Sequence, residues 1–245
     1  MSKKLNFTTR EISRLPNEFM EVVSFPFKNK AVGLDLTVQI QQLLKEDYGL
    51  YIWPCSIVLS DYIFQMGCRR ELKDKSILEI GGGTGLCGIV AALKNFEAKV
   101  VVVSDKHDSA VVLENIRKNL WLNRNQIISR TGVVGFSWGH FEQILVFEKE
   151  FSASYDLLLA SDIFYDPDLF EDGVVTVLFL LQNYSSSFLL TSYEERSLQN
   201  TLHLFRLMNQ YKLKRTEIQL ESFFDTKKMK LLKGKTIRLF LISLQ

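Results

Sequence analysis

Closely spaced glycines after a short apolar run are the feature of this sequence best suited to holding a ligand. The segment reads Ile77-Leu-Glu-Ile-Gly-Gly-Gly-Thr-Gly-Leu-Cys-Gly. Glycine lets the backbone approach a ligand because no Cβ stands in the way. If a strand ends at Ile80 and a helix starts near Leu86, the first N–H groups of that helix favour an anionic group. Gly81, Gly83 and Gly85 are therefore candidate ligand contacts.

Two carboxylates near this loop distinguish between possible ligands. The loop alone also fits the G-x-G-x-x-G pattern of dinucleotide sites, or a tight turn that binds nothing. Glu79 stands two residues before the first glycine, where its charge would repel a pyrophosphate but favour S-adenosylmethionine, which carries an amine and a sulfonium. Asp105 follows Gly85 by 20 residues and could accept hydrogen bonds from ribose hydroxyls. The spacing predicts S-adenosylmethionine rather than a nicotinamide cofactor.

Three further side chains come after predicted strands, on the same side of the sheet. Trp138 follows the third strand, where a flat ring could cover adenine; burial in the core is the alternative. Asp162 and Tyr165 follow the fourth strand, and their alternatives are a helix cap and a packed ring. Methyl transfer requires alignment of a nucleophile rather than a covalent enzyme intermediate. Carboxylates and a phenol at the cleft mouth suit an amine or guanidinium acceptor.

Strands and helices must alternate to bring these residues together. Predicted strands of the main domain lie at 76–80, 99–105, 126–132, 155–160, 187–192, 212–217 and 235–243. Predicted helices lie at 55–66, 86–95, 109–122, 168–182 and 194–210. Repeated alternation predicts a parallel sheet covered on both faces, and the last two strands an antiparallel edge pair. The expected fold is doubly wound α/β, with a mostly parallel, seven-stranded, Rossmann-like sheet.

The first 47 residues are expected to precede that domain. Residues 1–17 are polar and lack periodicity, which is typical of a flexible arm. Residues 18–47 contain two apolar runs around Lys28-Asn-Lys and predict a β-hairpin extension. The main domain then occupies residues 48–245.

Composition excludes several other classes of protein. With 47% apolar and 24% charged residues, the chain is globular. Its 30 basic and 28 acidic side chains nearly balance, so no direct nucleic-acid partner is predicted. Three cysteines without CxxC spacing and three scattered histidines predict neither a disulfide framework nor a metal site. No signal peptide or membrane span is predicted, so we expect the protein to be located in the cytoplasm or nucleus.

Taken together, these motifs resemble the methyltransferase-like family 16, best known for protein lysine methyltransferases. The resemblance runs from about Thr37 to the C-terminus. It is carried by Tyr51-Ile-Trp-Pro, Leu78-Glu-Ile-Gly-Gly-Gly-Thr-Gly-Leu, Ser104-Asp105, Trp138-Gly-His, Ala160-Ser-Asp-Ile-Phe-Tyr and Thr191-Ser-Tyr-Glu-Glu-Arg. It implies a class I methyltransferase domain that takes S-adenosylmethionine and modifies a side-chain nitrogen of a protein.

The resemblance also implies roles for individual residues. The implied cofactor contacts are Trp53, Gly81, Gly82, Gly83, Asp105, Trp138 and Ser161. Asp162 and Tyr165 would face the acceptor. The run Tyr48-Gly-Leu-Tyr-Ile-Trp-Pro-Cys and Trp138-Gly-His resemble a branch of the family described as histone H3 arginine methyltransferases.

Arginine is therefore the expected acceptor, with lysine, or a non-catalytic interaction module, as the alternatives. Arginine methylation usually employs paired glutamates to orient the guanidinium, and Glu194, next to Glu195, is the catalytic candidate. Acids that merely complement a helix dipole are the other interpretation of this pair. We expect a monomer that acts in the nucleus and cytoplasm.

Overall fold

The computed structural model describes residues 14–15, 18–43, 47–151, 154–184, 187–224, 226–229, 232 and 234–245. Most of the predicted arm lies outside the described residues. Within them, no helix is long and apolar enough to cross a membrane.

Ten strands and seven helices are found in the described parts of the chain. The strands are β1 (Arg14–Leu15), β2 (Glu18–Asn29), β3 (Leu34–Leu43), β4 (Ser76–Ile80), β5 (Val100–Asp105), β6 (Arg130–Gly135), β7 (Leu157–Ser161), β8 (Phe188–Glu194), β9 (Leu213–Ile218) and β10 (Ile237–Leu244). The helices are α1 (Pro54–Cys68), α2 (Leu86–Ala91), α3 (Ala110–Leu122), α4 (Phe141–Phe151), α5 (Phe170–Asn183), α6 (Leu198–Gln210) and α7 (Thr226–Met229).

The main sheet has seven strands in the order β6-β5-β4-β7-β8-β10-β9. Strands β4 to β8 are parallel, and β10 runs antiparallel to both β8 and β9. Strand β4 is buried along its whole length, as expected for a parallel strand covered on both faces. The predicted Rossmann-like sheet with an antiparallel edge is confirmed. The order of the strands changes direction between β4 and β7. Sheets of this kind bind ligands at such a point, beyond the carboxyl ends of their strands.

Several predicted boundaries were wrong. The third strand lies at Arg130–Gly135, because residues 124–126 form a 3₁₀ turn. Helix α4 was missed, although Ile144, Phe147 and Phe151 follow a helical spacing. Helix α6 begins only at Leu198 because β8 continues to Glu194, which pairs with Ile237 of β10.

The predicted N-terminal hairpin is present as β2 and β3, which pair from Asn29↔Leu34 to Met20↔Leu43. Within the predicted arm, β1 adds two residues beside β2. One face of the hairpin is buried in the core, where the rings of Phe27 and Phe64 lie 5.3 Å apart. The hairpin is thus packed onto helix α1 of the main domain.

Two asparagine side chains, Asn119 on α3 and Asn123 directly after it, make hydrogen bonds to the backbone of β3. Asn119 accepts a hydrogen bond from the Gln41 N–H at 2.7 Å and donates to the Gln41 carbonyl at 3.0 Å. Asn123 makes the same pair of bonds with Gln39, at 2.9 and 2.7 Å. Asn119 also donates to the carbonyl of Thr84, in the glycine loop, at 2.9 Å. This side chain therefore joins the hairpin to the loop.

We expect Asn119→Ala to lower the free energy of unfolding by roughly 2–4 kcal/mol, because the Gln41 N–H and the Thr84 carbonyl lose this partner, while the Gln41 carbonyl keeps its bond from Asn115. Urea denaturation measures the change. The control is Asn95→Ala, which removes an exposed amide and should leave stability within about 0.5 kcal/mol of the parent. Equal effects of the two substitutions would contradict this role for Asn119.

Candidate active site

A cleft of about 930 Å³ opens at the carboxyl ends of β4, β5 and β7. Its walls come from the 3₁₀ turn Tyr48–Leu50, the glycine loop, the segments that follow β5, β6 and β7, and Arg196. The parallel sheet brings these segments to one edge because each strand delivers its last residue there.

The glycine loop is open towards the cleft along its backbone. Gly81, Gly83 and Gly85 have φ angles of 59°, 57° and 78°, in the left-handed region that other residues rarely adopt. A Cβ on Gly83 would lie 3.3 Å from the carbonyl oxygen of Gly49, so the Tyr48–Leu50 turn sits directly against the loop. Gly81, Gly82 and Gly83 line the cleft. Gly85 instead precedes α2 and shapes the turn.

Glu79 lies beneath the loop rather than among the residues that line the cleft. One of its carboxyl oxygens accepts a hydrogen bond from the Gly88 N–H at 2.7 Å. Burial raises the pKa of Glu79 to about 8, so the group holds its proton at neutral pH. In this structure Glu79 supports the loop from below, and its burial favours the neutral form over the charge assumed from the sequence.

Asp105 ends β5 and lines the cleft. Its two carboxyl oxygens accept hydrogen bonds from the N–H groups of Gly83 and Lys106, both at 2.8 Å. Burial raises the pKa of Asp105. Each carboxylate oxygen retains a second lone pair, so the group can still accept the two hydroxyls of a ribose.

Five aromatic side chains form a continuous arc at the cleft mouth, here called the aromatic rim. Its members in spatial order are Tyr51, Trp53, Tyr48, Tyr165 and Trp138. Successive ring centroids lie 6.5, 6.2, 6.3 and 6.4 Å apart.

The rim contains three rings predicted from the sequence and two that were missed. Trp53, Trp138 and Tyr165 were predicted, and a Cβ on Gly81 would lie 3.7 Å from the Trp138 ring. Tyr48 and Tyr51 were not singled out. The signal that could have identified them is the density of aromatic residues between positions 48 and 53.

Asp162 directly follows β7 and has a φ of 58°. The residue is only 8% exposed. Its carboxylate forms a two-point ion pair with Arg196, at 2.5 and 3.0 Å. The N–H of Glu194 donates to the same carboxylate at 3.3 Å. Ser161, Asp162 and Arg196 all line the cleft. Arg196 was missed as a site residue, although it closes the Glu-Glu-Arg run after β8.

Glu194, the last residue of β8, and Glu195, which follows it, do not converge on the cleft as the paired-glutamate prediction required. Both carboxyl oxygens of Glu194 accept from the Lys235 ammonium at 2.7 Å, and one of them lies 3.7 Å from the guanidinium of Arg196, but Glu194 itself does not line the cleft. Glu195 is paired with Arg238 at 3.4 Å. The reason is that successive side chains at a strand end point to opposite faces.

Acidic side chains outnumber basic ones in the described lining of the cleft. The carboxylates are Asp47, Asp105, Asp108, Asp162 and Asp172, and the permanently basic groups are Lys106 and Arg196. Since Arg196 is already paired with Asp162, the remaining charge favours a cationic guest. Among the described residues, no group of His, Cys, Asp and Glu could hold a metal ion.

This sheet order, a glycine loop after β4 and an acid at the end of β5 define the class I S-adenosylmethionine-dependent methyltransferases. The family model described as lysine methyltransferase, methyltransferase family 16, matches residues 34–210. The chain belongs to this family, which confirms the resemblance inferred from its motifs. It is thus an S-adenosylmethionine-dependent protein methyltransferase.

Curated relatives divide between two acceptors. The chain is 35% identical over 188 residues to the histone-arginine methyltransferase METTL23 of Xenopus laevis, covering 77% of this chain and 74% of the relative. The Mus musculus METTL23 is also 35% identical, over 81% of this chain and 72% of its own. The Mus musculus protein N-lysine methyltransferase METTL21A is 33% identical, over 61% of this chain and 63% of the relative.

Solved structures support the fold. Magnesium protoporphyrin IX methyltransferase from Synechocystis PCC 6803 with bound S-adenosylmethionine has a TM-score of 0.51. It is 10% identical, and the match covers 78% of this chain and 80% of that chain.

The residues of the cleft fit the methyl donor. Gly81, Gly82 and Gly83 present backbone to the cleft, Asp105 can accept ribose hydroxyls, and Trp138 offers a flat face for adenine. When bound, S-adenosylmethionine supplies an electrophilic methyl group on a sulfonium. The protein itself contributes the binding surface and the alignment of an acceptor nitrogen.

Proposed function

We propose that this protein methylates an arginine side chain of a protein substrate, and that histone H3 is the first substrate to test. The observation that carries the proposal is the cleft mouth, which is lined by aromatic rings and by more carboxylates than basic groups among the described residues. A guanidinium or ammonium group is attracted by both. An acidic or phosphorylated acceptor would be repelled.

In this proposal Asp162 and Tyr165 orient the acceptor nitrogen. Arg196 holds the Asp162 carboxylate at two points, which prevents its rotation and leaves its remaining lone pairs directed by the fold. Burial, with smaller contributions from Asp105, Asp166 and Asp47, raises the pKa of Tyr165. The phenol therefore keeps its proton and can donate or accept a hydrogen bond at the acceptor.

The relatives support arginine first and lysine second. METTL23 proteins, which carry the name histone-arginine methyltransferase, match more of this chain than METTL21A does. Lysine is retained as the second candidate because METTL21A is named an N-lysine methyltransferase and the family description is lysine methyltransferase.

The chemical identity of the product tests this proposal. The protein is incubated with isotope-labelled methyl donor and a histone H3 tail peptide, and the hydrolysed peptide is analysed for methylated amino acids. We expect label in methylarginine, and its loss when each arginine of the peptide is replaced by lysine. Label in methyllysine would establish the second candidate instead. An Asp162→Asn preparation controls for contaminating activities.

A further inference from the structure

Tyr48 is the most exposed ring of the aromatic rim. It is 68% exposed, and its neighbour Tyr165 is 44% exposed. Large aromatic side chains that remain exposed beside a cleft mark surfaces that contact a ligand or a partner. The other rim rings, Tyr51, Trp53 and Trp138, are half-buried.

The backbone under Tyr48 is held in place although its ring is exposed. Asp47 caps the turn by accepting from the Gly49 N–H at 2.9 Å, and its second oxygen accepts from the Ser109 hydroxyl at 3.1 Å. The Tyr48 carbonyl accepts from the Trp53 indole N–H at 2.9 Å. Because the backbone of the turn is already ordered, less conformational entropy is lost there when a ligand binds to the Tyr48 ring.

The Tyr48 turn also touches the part of the cleft that holds the donor. Gly49 lies against Gly83 of the glycine loop, and the Tyr48 ring lies 6.3 Å from that of Tyr165, with 48° between their planes. A cation interacts with an aromatic face within about 6 Å of the ring centroid. The two rings are too close for a cation to lie between them, but one cationic group beside both rings can lie within this distance of each centroid.

The charges around the two rings determine whether a cationic or an anionic group is favoured there. Asp47, Asp105 and Asp166 all act electrostatically on Tyr165. Their negative field favours a cation beside the ring and disfavours an anion. Asp47 and Asp105 also line the cleft, where carboxylates outnumber basic groups among the described lining residues.

We propose that Tyr48 and Tyr165 form an acceptor slot, in which the cationic side chain of the substrate is held against both rings as it reaches the methyl donor. The inference rests on the proposed function, and it assigns Tyr48 to acceptor binding rather than to the cofactor. The slot accepts a guanidinium or an ammonium, and a planar guanidinium can also stack on either ring.

Calorimetric titration tests the slot without requiring turnover. An arginine-containing histone H3 tail peptide is titrated into protein saturated with S-adenosylhomocysteine, and S-adenosylhomocysteine is titrated separately. We expect Tyr48→Ala to weaken peptide binding about tenfold while cofactor affinity changes less than twofold. Tyr48→Phe, which keeps the ring, should restore peptide binding.

Trp121→Ala is the matched control, because it removes a 61% exposed aromatic ring that stacks on Arg124 of the same chain and does not line the cleft. It should leave both affinities unchanged. Unchanged peptide binding in Tyr48→Ala, or weaker cofactor binding instead, would overturn the slot, as would a wild-type protein that binds no arginine peptide. If peptide binding depends on Tyr48 but no methylarginine forms, the slot stands and the proposed function fails.

Discussion

Asp162→Asn should reduce the turnover of methyl transfer by about 100-fold or more while cofactor affinity stays within about threefold of the parent. The carboxylate directly follows β7 on the cleft wall, and its oxygens, held in place by Arg196, orient the acceptor nitrogen in the proposed mechanism. Replacing one carboxylate oxygen by an amide N–H removes an acceptor and half of the ion pair with Arg196. Single-turnover assays with labelled donor measure the rate.

Asparagine is the informative replacement because of the backbone at this position. Asp162 has a φ of 58°, a conformation that Asn tolerates better than most residues. Alanine would add backbone strain and leave Arg196 without its main partner, which destabilises the folded protein. Asp162→Ala would therefore confuse loss of chemistry with loss of folding.

Asp74→Asn is a matched control. Asp74 also has a positive φ, of 60°, but it is exposed and does not line the cleft. Its substitution should leave turnover and melting temperature at the parent values. If Asp162→Asn retains full turnover, the carboxylate has no part in acceptor alignment, and its role is confined to the structural pair with Arg196.

Asp105→Ala should weaken S-adenosylmethionine binding by about 100-fold. The estimate follows from the loss of two hydrogen bonds to a charged acceptor, each worth about 1.5 kcal/mol or more. Calorimetric titration with S-adenosylmethionine measures the loss, and titration with NAD shows whether the site discriminates between the two cofactors. We expect no NAD binding by either protein.

The folded state of the Asp105 variants must be verified, because Asp105 also accepts from the Gly83 N–H. Asp105→Asn keeps an oxygen for one of these bonds and should bind with intermediate affinity. Asp35→Ala removes an exposed carboxylate on the hairpin and should change nothing in the titration. A folded Asp105→Ala protein with unaltered affinity would show that the ribose is held elsewhere.

Features that depend on neighbouring residues could be predicted from the sequence. The glycine loop, the β-branched strand that ends at Asp105 and the alternation of strands and helices are local patterns, and together they determine the sheet and the class of cofactor. Asp105 and Trp138 were found for the same reason, since residues after parallel strands meet at one edge. Helix α4 was missed, although its spacing is helical.

The ionisation and accessibility of the site residues were decided by the tertiary structure. Whether a carboxylate is charged depends on its burial and on partners brought close by folding, and these are not adjacent in sequence. Burial thus favours the neutral form of Glu79 beneath its loop, and Glu194 is turned towards Lys235. Asp162 meets an arginine 34 positions away.

The acceptor side of the cleft also depends on the tertiary structure. Tyr48 precedes the glycine loop and Tyr165 follows β7, so only the packing of the Tyr48–Leu50 turn against Gly83 brings their rings together. The sequence by itself therefore determined the fold, the family and the methyl donor, because those are encoded in local patterns. The arrangement of charges and rings that would receive the acceptor was decided by contacts between distant segments.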